Sequence, residues 1–232
     1  MSTLILFDID GTLVLTGGAG ERAMNRAFAE LAGVAGAFHG IQMAGRTDPI
    51  ILDEAVSRAG LAWSGAKRDR FRARYCELLH DELQTPNPKC RAMPGVESLV
   101  GSLAADRSLF VALLTGNYAE GARVKLSHFD LWRHFRCGAF GDDAEERAAL
   151  VPVAVARARG MGLAEVPVER VVVVGDTPLD VACARANGVR AVAVATGPYS
   201  ERQLADSGAH AVLPDLSDAA AFKRAIGAPA ST

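Results

Sequence analysis

Two aspartates stand close together near the amino terminus, where a short apolar run ends. The run covers residues 4–7, and Asp8 and Asp10 follow it with only Ile9 between them. Two carboxylates at the end of a buried strand are costly to hold there unless a cation or a catalytic task compensates for the lost hydration. The pair therefore indicates a metal site, a carboxylate nucleophile, or both.

A second polar stretch follows the apolar run 109–114. It consists of Thr115, Gly116 and Asn117, which offer a hydroxyl group and backbone N–H groups. Successive backbone N–H groups at a turn form a concave site for anions. We therefore interpret these three residues as candidate anion ligands. The alternative interpretation of Thr115 is that it only ends the strand and binds no ligand.

A third polar stretch follows the apolar run 171–174 and carries two more carboxylates, Asp176 and Asp180. Thr177 can cap a helix whose first residue is Pro178, so Asp176 would lie just outside the helix and Asp180 in its first turn. Carboxylates stabilise the amino terminus of a helix, and this position therefore tolerates a cluster of negative charge. The alternative is that both aspartates only stabilise the amino terminus of the helix and bind no ligand.

The elements that position these residues follow from the apolar pattern. Four short apolar runs predict strands that are buried on both faces, as in a parallel sheet. Helical spacing of apolar residues over 96–103, and roughly over 150–161, separates later strands. This alternation predicts an α/β fold built on a doubly wound parallel sheet of about five strands. The four runs are residues 4–7, 109–114, 171–174 and 191–194.

The alternation of strands and helices is interrupted early in the chain. After the first strand we predict no second strand for a long stretch, because residues 16–85 have the apolar spacing of helices. We expect Asp48 to cap one of these helices and Ser64 to cap another. The predicted organisation is a core domain of residues 1–15 and 86–232 with an inserted helical cap domain of residues 16–85.

The three polar stretches should meet at one place, because open α/β sheets bind ligands at the carboxyl ends of their strands. Together they supply at least three carboxylates, a hydroxyl group and backbone donors. A set of oxygen ligands suits Mg²⁺, which shares its coordination with water and with substrate phosphate. A carboxylate nucleophile beside a metal and anion donors is typical of phosphoryl transfer.

The composition is that of a globular protein with a sizeable core. Of the 232 residues, 50% are hydrophobic and 22% are charged. The net charge of -2 gives no basic surplus for nucleic acid or an anionic membrane. The first residues carry no basic stretch, and no uncharged apolar run reaches the roughly 18 residues of a membrane span. We therefore expect a cytoplasmic protein with no nucleic-acid or membrane partner.

The three motifs, in this order and each after an apolar strand, resemble those of the haloacid dehalogenase-like hydrolase superfamily. Within that superfamily the sequence resembles the phosphoglycolate-phosphatase-like enzymes with a helical cap. The family's first motif matches residues 8–12, the second matches 115–117 and the fourth matches 175–180. The resemblance extends over nearly the whole chain. It implies a Rossmann-like core with an inserted cap, and a Mg²⁺-dependent phosphatase that acts on a small phosphorylated metabolite.

The resemblance also implies a role for each matching carboxylate. Asp8 would attack phosphorus and form an aspartyl-phosphate, while Asp10 would protonate the leaving oxygen and later activate water. Mg²⁺ would be held by the Asp8 carboxylate, the Asp10 backbone carbonyl and Asp176. Asp180 would lie close to the metal, as a direct ligand or as a neighbour of the ligands.

For the phosphoryl group, the resemblance implies binding by Thr115 and the N–H of Gly116, with Asn117 beside them. The family's third motif is usually a lysine, and the corresponding stretch here has none. Arg147 is the nearest cation, and we expect it to replace that lysine. Lys125 is the alternative, although it stands elsewhere in the chain order. The competing interpretation of Arg147 is a solvated charge beside neighbouring glutamates.

The insert contributes one further candidate, Arg46. The resemblance implies that this part of a cap reaches the substrate, where Arg46 would bind a carboxylate or another polar group. The alternative is a surface arginine next to a helix cap. Two other functions stay open: a sugar phosphomutase using the same Asp8 and Asp10, and a binding module without turnover, which the missing lysine favours.

Overall fold

A parallel sheet occupies the centre of the molecule, and this computed structural model describes residues 2–227. The strands in chain order are β1 (Thr3–Phe7), β2 (Val14–Thr16), β3 (Cys90–Ala92), β4 (Leu109–Leu114), β5 (Gly138–Ala139), β6 (Val171–Gly175), β7 (Arg190–Val194) and β8 (Ala211–Leu213). Six of them form the sheet in the spatial order β5-β4-β1-β6-β7-β8, and all neighbours run parallel. This confirms the predicted α/β class, with six strands rather than about five.

Helices cover both faces of the sheet and also form the insert. In chain order they are α1 (Ala19–Ala32), α2 (Asp48–Arg58), α3 (Gly65–Gln84), α4 (Val96–Ala105), α5 (Ala119–His128), α6 (Leu150–Gly160), α7 (Pro178–Ala186), α8 (Glu201–Asp206) and α9 (Ala219–Ala225). Within residues 2–227, none of these helices has both the length and the apolar character needed to cross a bilayer.

The sheet separates two apolar cores because successive side chains of a strand point to opposite faces. In β1, Ile5 and Phe7 belong to one core, and Leu4 and Leu6 belong to the other. All four side chains are fully buried. A strand buried on both faces reads as a continuous apolar run, and this is why the four runs in the sequence correspond to β1, β4, β6 and β7.

The insert has an apolar core of its own, made mainly by α1, α2, α3 and the segments between them, with Tyr118 at the start of α5 packed against it. Its centre is aromatic, with Phe28 stacked on Trp63 at a centroid distance of 4.8 Å and packed edge-on against Phe38. Ser64 caps α3 as predicted, because its hydroxyl accepts from the N–H of Lys67. A separate core of this kind holds the three helices together as a unit above the sheet edge.

Two features of the insert differ from the sequence predictions. First, short strands flank it, because β2 and β3 pair antiparallel where the chain leaves and re-enters the core. Three-residue strands are too short to appear as apolar runs. Second, Thr47 and not Asp48 is the N-cap of α2. Both side chains are bound elsewhere: the Thr47 hydroxyl donates to Glu145 O, and the Asp48 carboxylate accepts from the N–H of Tyr118.

Candidate active site

The carboxyl ends of three adjacent strands bring the polar stretches together. β1 lies between β4 and β6 and is parallel to both. Asp8 follows β1, Thr115 follows β4 and Asp176 follows β6, so the three residues emerge side by side at one edge of the sheet. The strand order, which the sequence alone does not contain, therefore makes a single site from three distant segments.

Three buried carboxylates form the centre of this site. Oxygen atoms of Asp8, Asp176 and Asp180 all lie within 4.8 Å of one another, and each side chain is at least nine-tenths buried. Burial raises the pKa of Asp176 to about 8, and the charges of Asp180 and Asp8 act in the same direction. Burial also raises the pKa of Asp8 to about 6, although the Arg147 charge opposes this. The fold holds negative charge here that a cation would stabilise.

Hydrogen bonds fix the orientation of two of these carboxylates. The hydroxyl of Thr12 donates to Asp176 Oδ1 at 3.0 Å. Asp180 lies in the first turn of α7, where its Oδ2 accepts from both the N–H and the hydroxyl of Thr177. Thr177 in turn caps the helix by accepting from the N–H of Asp180, which completes a capping box. The helix end therefore holds Asp180 rigidly.

Arg147 is the cation of the acidic cluster. It begins a short 3-10 helix before α6, and its Nη2 lies 3.1 Å from Asp8 Oδ1 and 2.5 Å from Asp180 Oδ1. Burial opposes its charge, but the two carboxylates raise its pKa above the ordinary value. Its side chain is 9% exposed, so it is not a solvated surface charge. The expected replacement for a third-motif lysine thus lies in contact with Asp8.

Lys125 contacts the other aspartate of the first motif. Its Nζ lies 2.6 Å from Asp10 Oδ2, and Asn117 Nδ2 donates to the same oxygen at 2.8 Å. Asn117 also donates to Thr115 Oγ1 at 3.0 Å. Lys125 projects from α5 on its buried face, next to Leu126. A lysine on the apolar side of a helix was the signal in the sequence, but its partner lies 115 residues away.

A short segment of the insert covers the site. We call residues 45–48 the strap. Asp48 N donates to Gly116 O at 2.7 Å, and Arg147 Nη1 donates to Gly45 O at 3.3 Å. A β-carbon on Gly116 would lie 2.1 Å from the Arg46 carbonyl oxygen, so the strap runs directly over this glycine. Gly116 is therefore a point of close backbone approach as well as a candidate anion ligand.

Arg46 lines the site but is not among the groups that contact Asp8. Its Nη1 donates to Glu54 Oε2 at 2.6 Å and to Gln42 O at 2.9 Å, and both partners belong to the insert. Glu54 also pairs with Arg58. Both protons of this Arg46 nitrogen are thus used within the insert, and only Nη2 and Nε remain for a ligand.

A cavity of about 470 Å³ lies between the insert and the sheet edge. Its floor includes Asp8, Asp10 and Asp176, and its roof includes Arg46 and Asp48. A wider groove of about 1130 Å³ lies between α3 and α5 and contains none of these residues. We assign the site to the smaller cavity, because the convergent carboxylates and cations lie there.

The residues of the acidic cluster fit a magnesium ion. Both Asp180 oxygens are bound, one by Arg147 and the other by Thr177. Asp8 and Asp176 both line the cavity and lie beside an excess of buried negative charge. Hard oxygen donors in this number suit Mg²⁺, which also binds water and phosphate oxygens. Asp8 and Asp176 would hold the ion.

Comparison with known proteins agrees with this arrangement. A family profile described as haloacid dehalogenase-like hydrolase matches residues 5–194. A phosphoglycolate phosphatase from Rhodospirillum rubrum is 30% identical over 219 residues, which cover 93% of this chain and 88% of that protein. A phosphoglycolate phosphatase from Cereibacter sphaeroides is 28% identical over 225 residues, covering 91% and 96%.

A solved structure shares the whole architecture. The hydrolase from Pseudomonas syringae aligns with a TM-score of 0.69 at 23% identity, covering 97% of this chain and 98% of that chain. At this identity the likeness shows a common fold, and the matching profile and the Rhodospirillum rubrum relative show the family. The resemblance expected from the three motifs is therefore confirmed, and the chain belongs to the haloacid dehalogenase-like hydrolases.

Proposed function

We propose that this chain is a phosphatase that hydrolyses a small phosphate monoester, with Asp8 as nucleophile, Asp10 as acid and base, and Mg²⁺ as cofactor. One observation carries the proposal: Asp8 lies buried beside Arg147 and two further carboxylates, at the floor of the cavity under the insert. Family membership makes the chain a hydrolase, and the relatives that it matches are phosphoglycolate phosphatases, which supports a phosphoric monoester as its substrate.

The proposed reaction has two steps. An oxygen of Asp8 attacks phosphorus while the ester P–O bond breaks, and Asp10 gives its proton to the leaving oxygen. Water then attacks the aspartyl-phosphate, Asp10 takes a proton from this water, and phosphate leaves with Asp8 restored. When bound, Mg²⁺ offsets the charge of the phosphate and the carboxylates. Lys125 and Asn117 hold Asp10 in place for both proton transfers.

Other groups at the floor of the cavity, and Thr115, which is fully buried next to it, would bind the phosphoryl group. Arg147 lines the cavity and its Nη2 lies 3.1 Å from Asp8, so its charge can act on both Asp8 and a bound phosphate group. The Thr115 hydroxyl accepts from Asn117, which leaves its own hydrogen to donate to phosphate. We propose that the Gly116 N–H completes this set. Arg46 would bind the substrate only through the nitrogens that Glu54 leaves unused.

The test is phosphate release from small phosphate esters, with and without Mg²⁺, by the natural chain and by Asp8→Asn. We expect release only with the metal, and at least about a thousandfold lower kcat in the variant. Asp206→Asn, at an exposed aspartate that ends α8, is the matched control and should retain full activity. Asp8→Asn with wild-type activity would overturn the proposed nucleophile.

Product analysis separates hydrolysis from the mutase alternative. A phosphatase releases free phosphate from a single ester, whereas a sugar phosphomutase converts one sugar phosphate into an isomer when a bisphosphate activator is present. Isomer formation without phosphate release would contradict our proposal. If no ester reacts while the protein still binds phosphate and Mg²⁺, the binding-module alternative would replace it.

A further inference from the structure

We propose that Asp48 recognises the leaving group of the substrate. The preferred substrate is then the phosphate ester of a neutral, hydroxyl-rich alcohol rather than of a hydroxy acid. This inference rests on the proposed phosphatase function and names its substrate class. It follows from the partners of the charged groups around the cavity.

Asp48 is a buried carboxylate with one oxygen unused. Its side chain is 5% exposed and lines the cavity. Oδ2 accepts from the N–H of Tyr118 at 2.8 Å, and Oδ1 has no hydrogen-bond partner within residues 2–227. Oδ1 is also not fully enclosed by protein. A buried carboxylate is costly unless it accepts further hydrogen bonds, so this oxygen is suited to a donor on a ligand.

The position of Asp48 relates it to the leaving group and not to the phosphate. Asp48 and Asp10 both line the cavity. Burial raises the pKa of Asp48, which is also close enough to Lys125 and Asp10 that the first lowers this pKa and the second raises it. Asp10 is held by Lys125 and is the group that would protonate the leaving oxygen. Tyr75 lies near Lys125, because its Oη and the Lys125 Nζ both lie 3.8 Å from the point that a β-carbon on Gly20 would occupy. The Tyr75 hydroxyl makes no hydrogen bond within the described residues and lines the cavity as well.

No cation that lines the cavity is without a carboxylate partner in the part of the chain that the structure describes. Arg147 pairs with Asp8 and Asp180, Lys125 pairs with Asp10, and Arg46 pairs with Glu54. Glu21 also lines the cavity and has no ion-pair partner in that part of the chain. The negative charge of the phosphate would be balanced by Mg²⁺ and Arg147, but a second anionic group on the substrate would face Asp48 and Glu21.

Charge and hydrogen bonding thus favour the same leaving groups, those with hydroxyl groups and no carboxylate. Hydroxyl groups on the leaving group can donate to Asp48 Oδ1 and interact with the Tyr75 hydroxyl. A carboxylate at the same place cannot donate, and it would lie close to a buried negative charge. The volume of about 470 Å³ accommodates a leaving group of a few carbon atoms together with the phosphate.

A series of three-carbon esters at pH 8 tests this inference. Propyl phosphate has no hydroxyl group, glycerol 1-phosphate has two, and 3-phosphoglycerate has one hydroxyl and one carboxylate. We expect kcat/KM for the glycerol ester to exceed that for the propyl ester by about 10- to 100-fold, the value of one or two hydrogen bonds to a charged acceptor. The phosphoglycerate should fall below the glycerol ester by at least about tenfold, and 2-phosphoglycolate should also be poor.

Asp48→Asn identifies the residue responsible. The amide keeps an oxygen for the Tyr118 N–H but removes the charge, so the glycerol-to-phosphoglycerate ratio should fall by about tenfold or more. The ratio is the readout because it is independent of any change in the overall rate. Glu21→Gln is the matched control: it removes another carboxylate that lines the cavity and has no ion-pair partner within the described residues, and we expect a smaller change in the ratio.

Each outcome bears on one hypothesis. Equal or better turnover of phosphoglycerate or phosphoglycolate by the natural chain would overturn the inference and leave the phosphatase function intact. An unchanged ratio in Asp48→Asn, or an equal change in Glu21→Gln, would overturn the role of Asp48. If none of the four esters releases phosphate, and p-nitrophenyl phosphate is not hydrolysed either, the proposed function itself fails.

Discussion

Arg147 shares one guanidinium nitrogen between Asp8 and Asp180, at 3.1 Å and 2.5 Å, and all three side chains are buried. Its Nη groups also donate to the backbone carbonyls of Gly45 and Leu114. The same side chain therefore touches the acidic cluster, the strap and the end of β4. A residue with so many buried partners affects stability as well as the proposed chemistry.

Removing this charge should destabilise the protein when no metal is present. We expect Arg147→Met to lower the free energy of unfolding by about 3–5 kcal/mol in a chelator, because it leaves buried carboxylates without a cation. Arg147→Lys should lose less, and Mg²⁺ should restore part of the loss in both. Urea unfolding measures this. Arg159→Met, at a half-exposed arginine, is the control and should change stability by less than about 0.5 kcal/mol.

The raised pKa of Asp176 gives the metal-free protein a characteristic pH dependence. Its folded-state value of about 8 lies above the ordinary 3.8, so between these values the folded protein holds a proton that the unfolded chain has released. Metal-free stability should therefore fall as pH rises towards 8. Thermal unfolding from pH 5 to 8.5 in a chelator tests this, and Asp176→Asn should show a shallower fall. A steeper fall in the variant would contradict the assignment.

Magnesium should reverse this trend. The ion binds the deprotonated carboxylates, so protons compete with it and the stabilisation by Mg²⁺ should increase from pH 6 to pH 8. The unfolding temperature at each pH, with and without Mg²⁺, gives the difference directly. A stabilisation that is independent of pH would indicate that the metal binds elsewhere.

At the scale of residues, the sequence identified the acids better than their partners. Asp8, Asp176 and Asp180 stand out because they follow apolar runs, and strand ends meet at one edge. The roles of Lys125 and Asp48 could not be seen in the same way. Each depends on a contact with a residue far away in the chain, Asp10 for Lys125 and Tyr118 for Asp48. The Asp48 contact follows from how the insert packs on the core, and the Lys125 contact follows from how α5 packs beside the loop after β1.

At the scale of elements, the strap fits over the loop that follows β4 only because glycine stands at position 116. Gly116→Ala would place a β-carbon 2.1 Å from the Arg46 carbonyl oxygen, against backbone that cannot move aside cheaply. We expect a loss of stability of about 1–3 kcal/mol and lower activity, since the strap would be displaced. Urea unfolding and kcat/KM measure the two effects.

Gly160→Ala is the control for that substitution. Gly160 is the last residue of α6, and nothing lies within 4 Å of the position that its β-carbon would occupy. The added methyl group should be neutral or stabilising by less than about 1 kcal/mol, as for other glycines replaced in helices. Equal losses at both positions would show that crowding under the strap is not the cause.

The elements that the sequence missed are those with little apolar signal. β5 has two residues, and β8 has only half-buried side chains at the edge of the sheet. β2 and β3 are held by their pairing with each other and not by a long apolar run. Central strands, buried on both faces, were predicted almost to the residue: the run 109–114 is β4 itself.

At the scale of the whole molecule, we propose that residues 16–85 act as a cap domain on a core of residues 1–15 and 86–232. Beyond the strap, the Arg72–Asp142 ion pair joins the two parts. Arg72 of α3 donates to Asp142 Oδ1 at 2.6 Å, and Asp142 Oδ2 accepts from the N–H of Ala119, which begins α5. The insert is thus attached to the core both at the strap and beside the groove between α3 and α5.

The contact between Arg72 and Asp142 should contribute little to stability, but replacing Asp142 should cost more than replacing Arg72. The Arg72 side chain is 45% exposed, so Arg72→Ala should cost less than about 1 kcal/mol. Asp142→Ala should cost more, because it also leaves the first turn of α5 without its anionic acceptor. Urea unfolding of the two variants and the double variant gives the coupling. An equal cost for both single variants would contradict this division.

The two chain connections between core and insert lie side by side. β2 pairs with β3, and Asn87 Nδ2 donates to Gly17 O at 3.0 Å, so the chain leaves and returns at one point. In evolutionary terms, the segment between them is an exchangeable module: it can be lengthened, shortened or replaced without rethreading the sheet. Changes in the insert, which forms the roof of the cavity, can then adapt the protein to new leaving groups. The carboxylates of the core would continue to perform the same reaction.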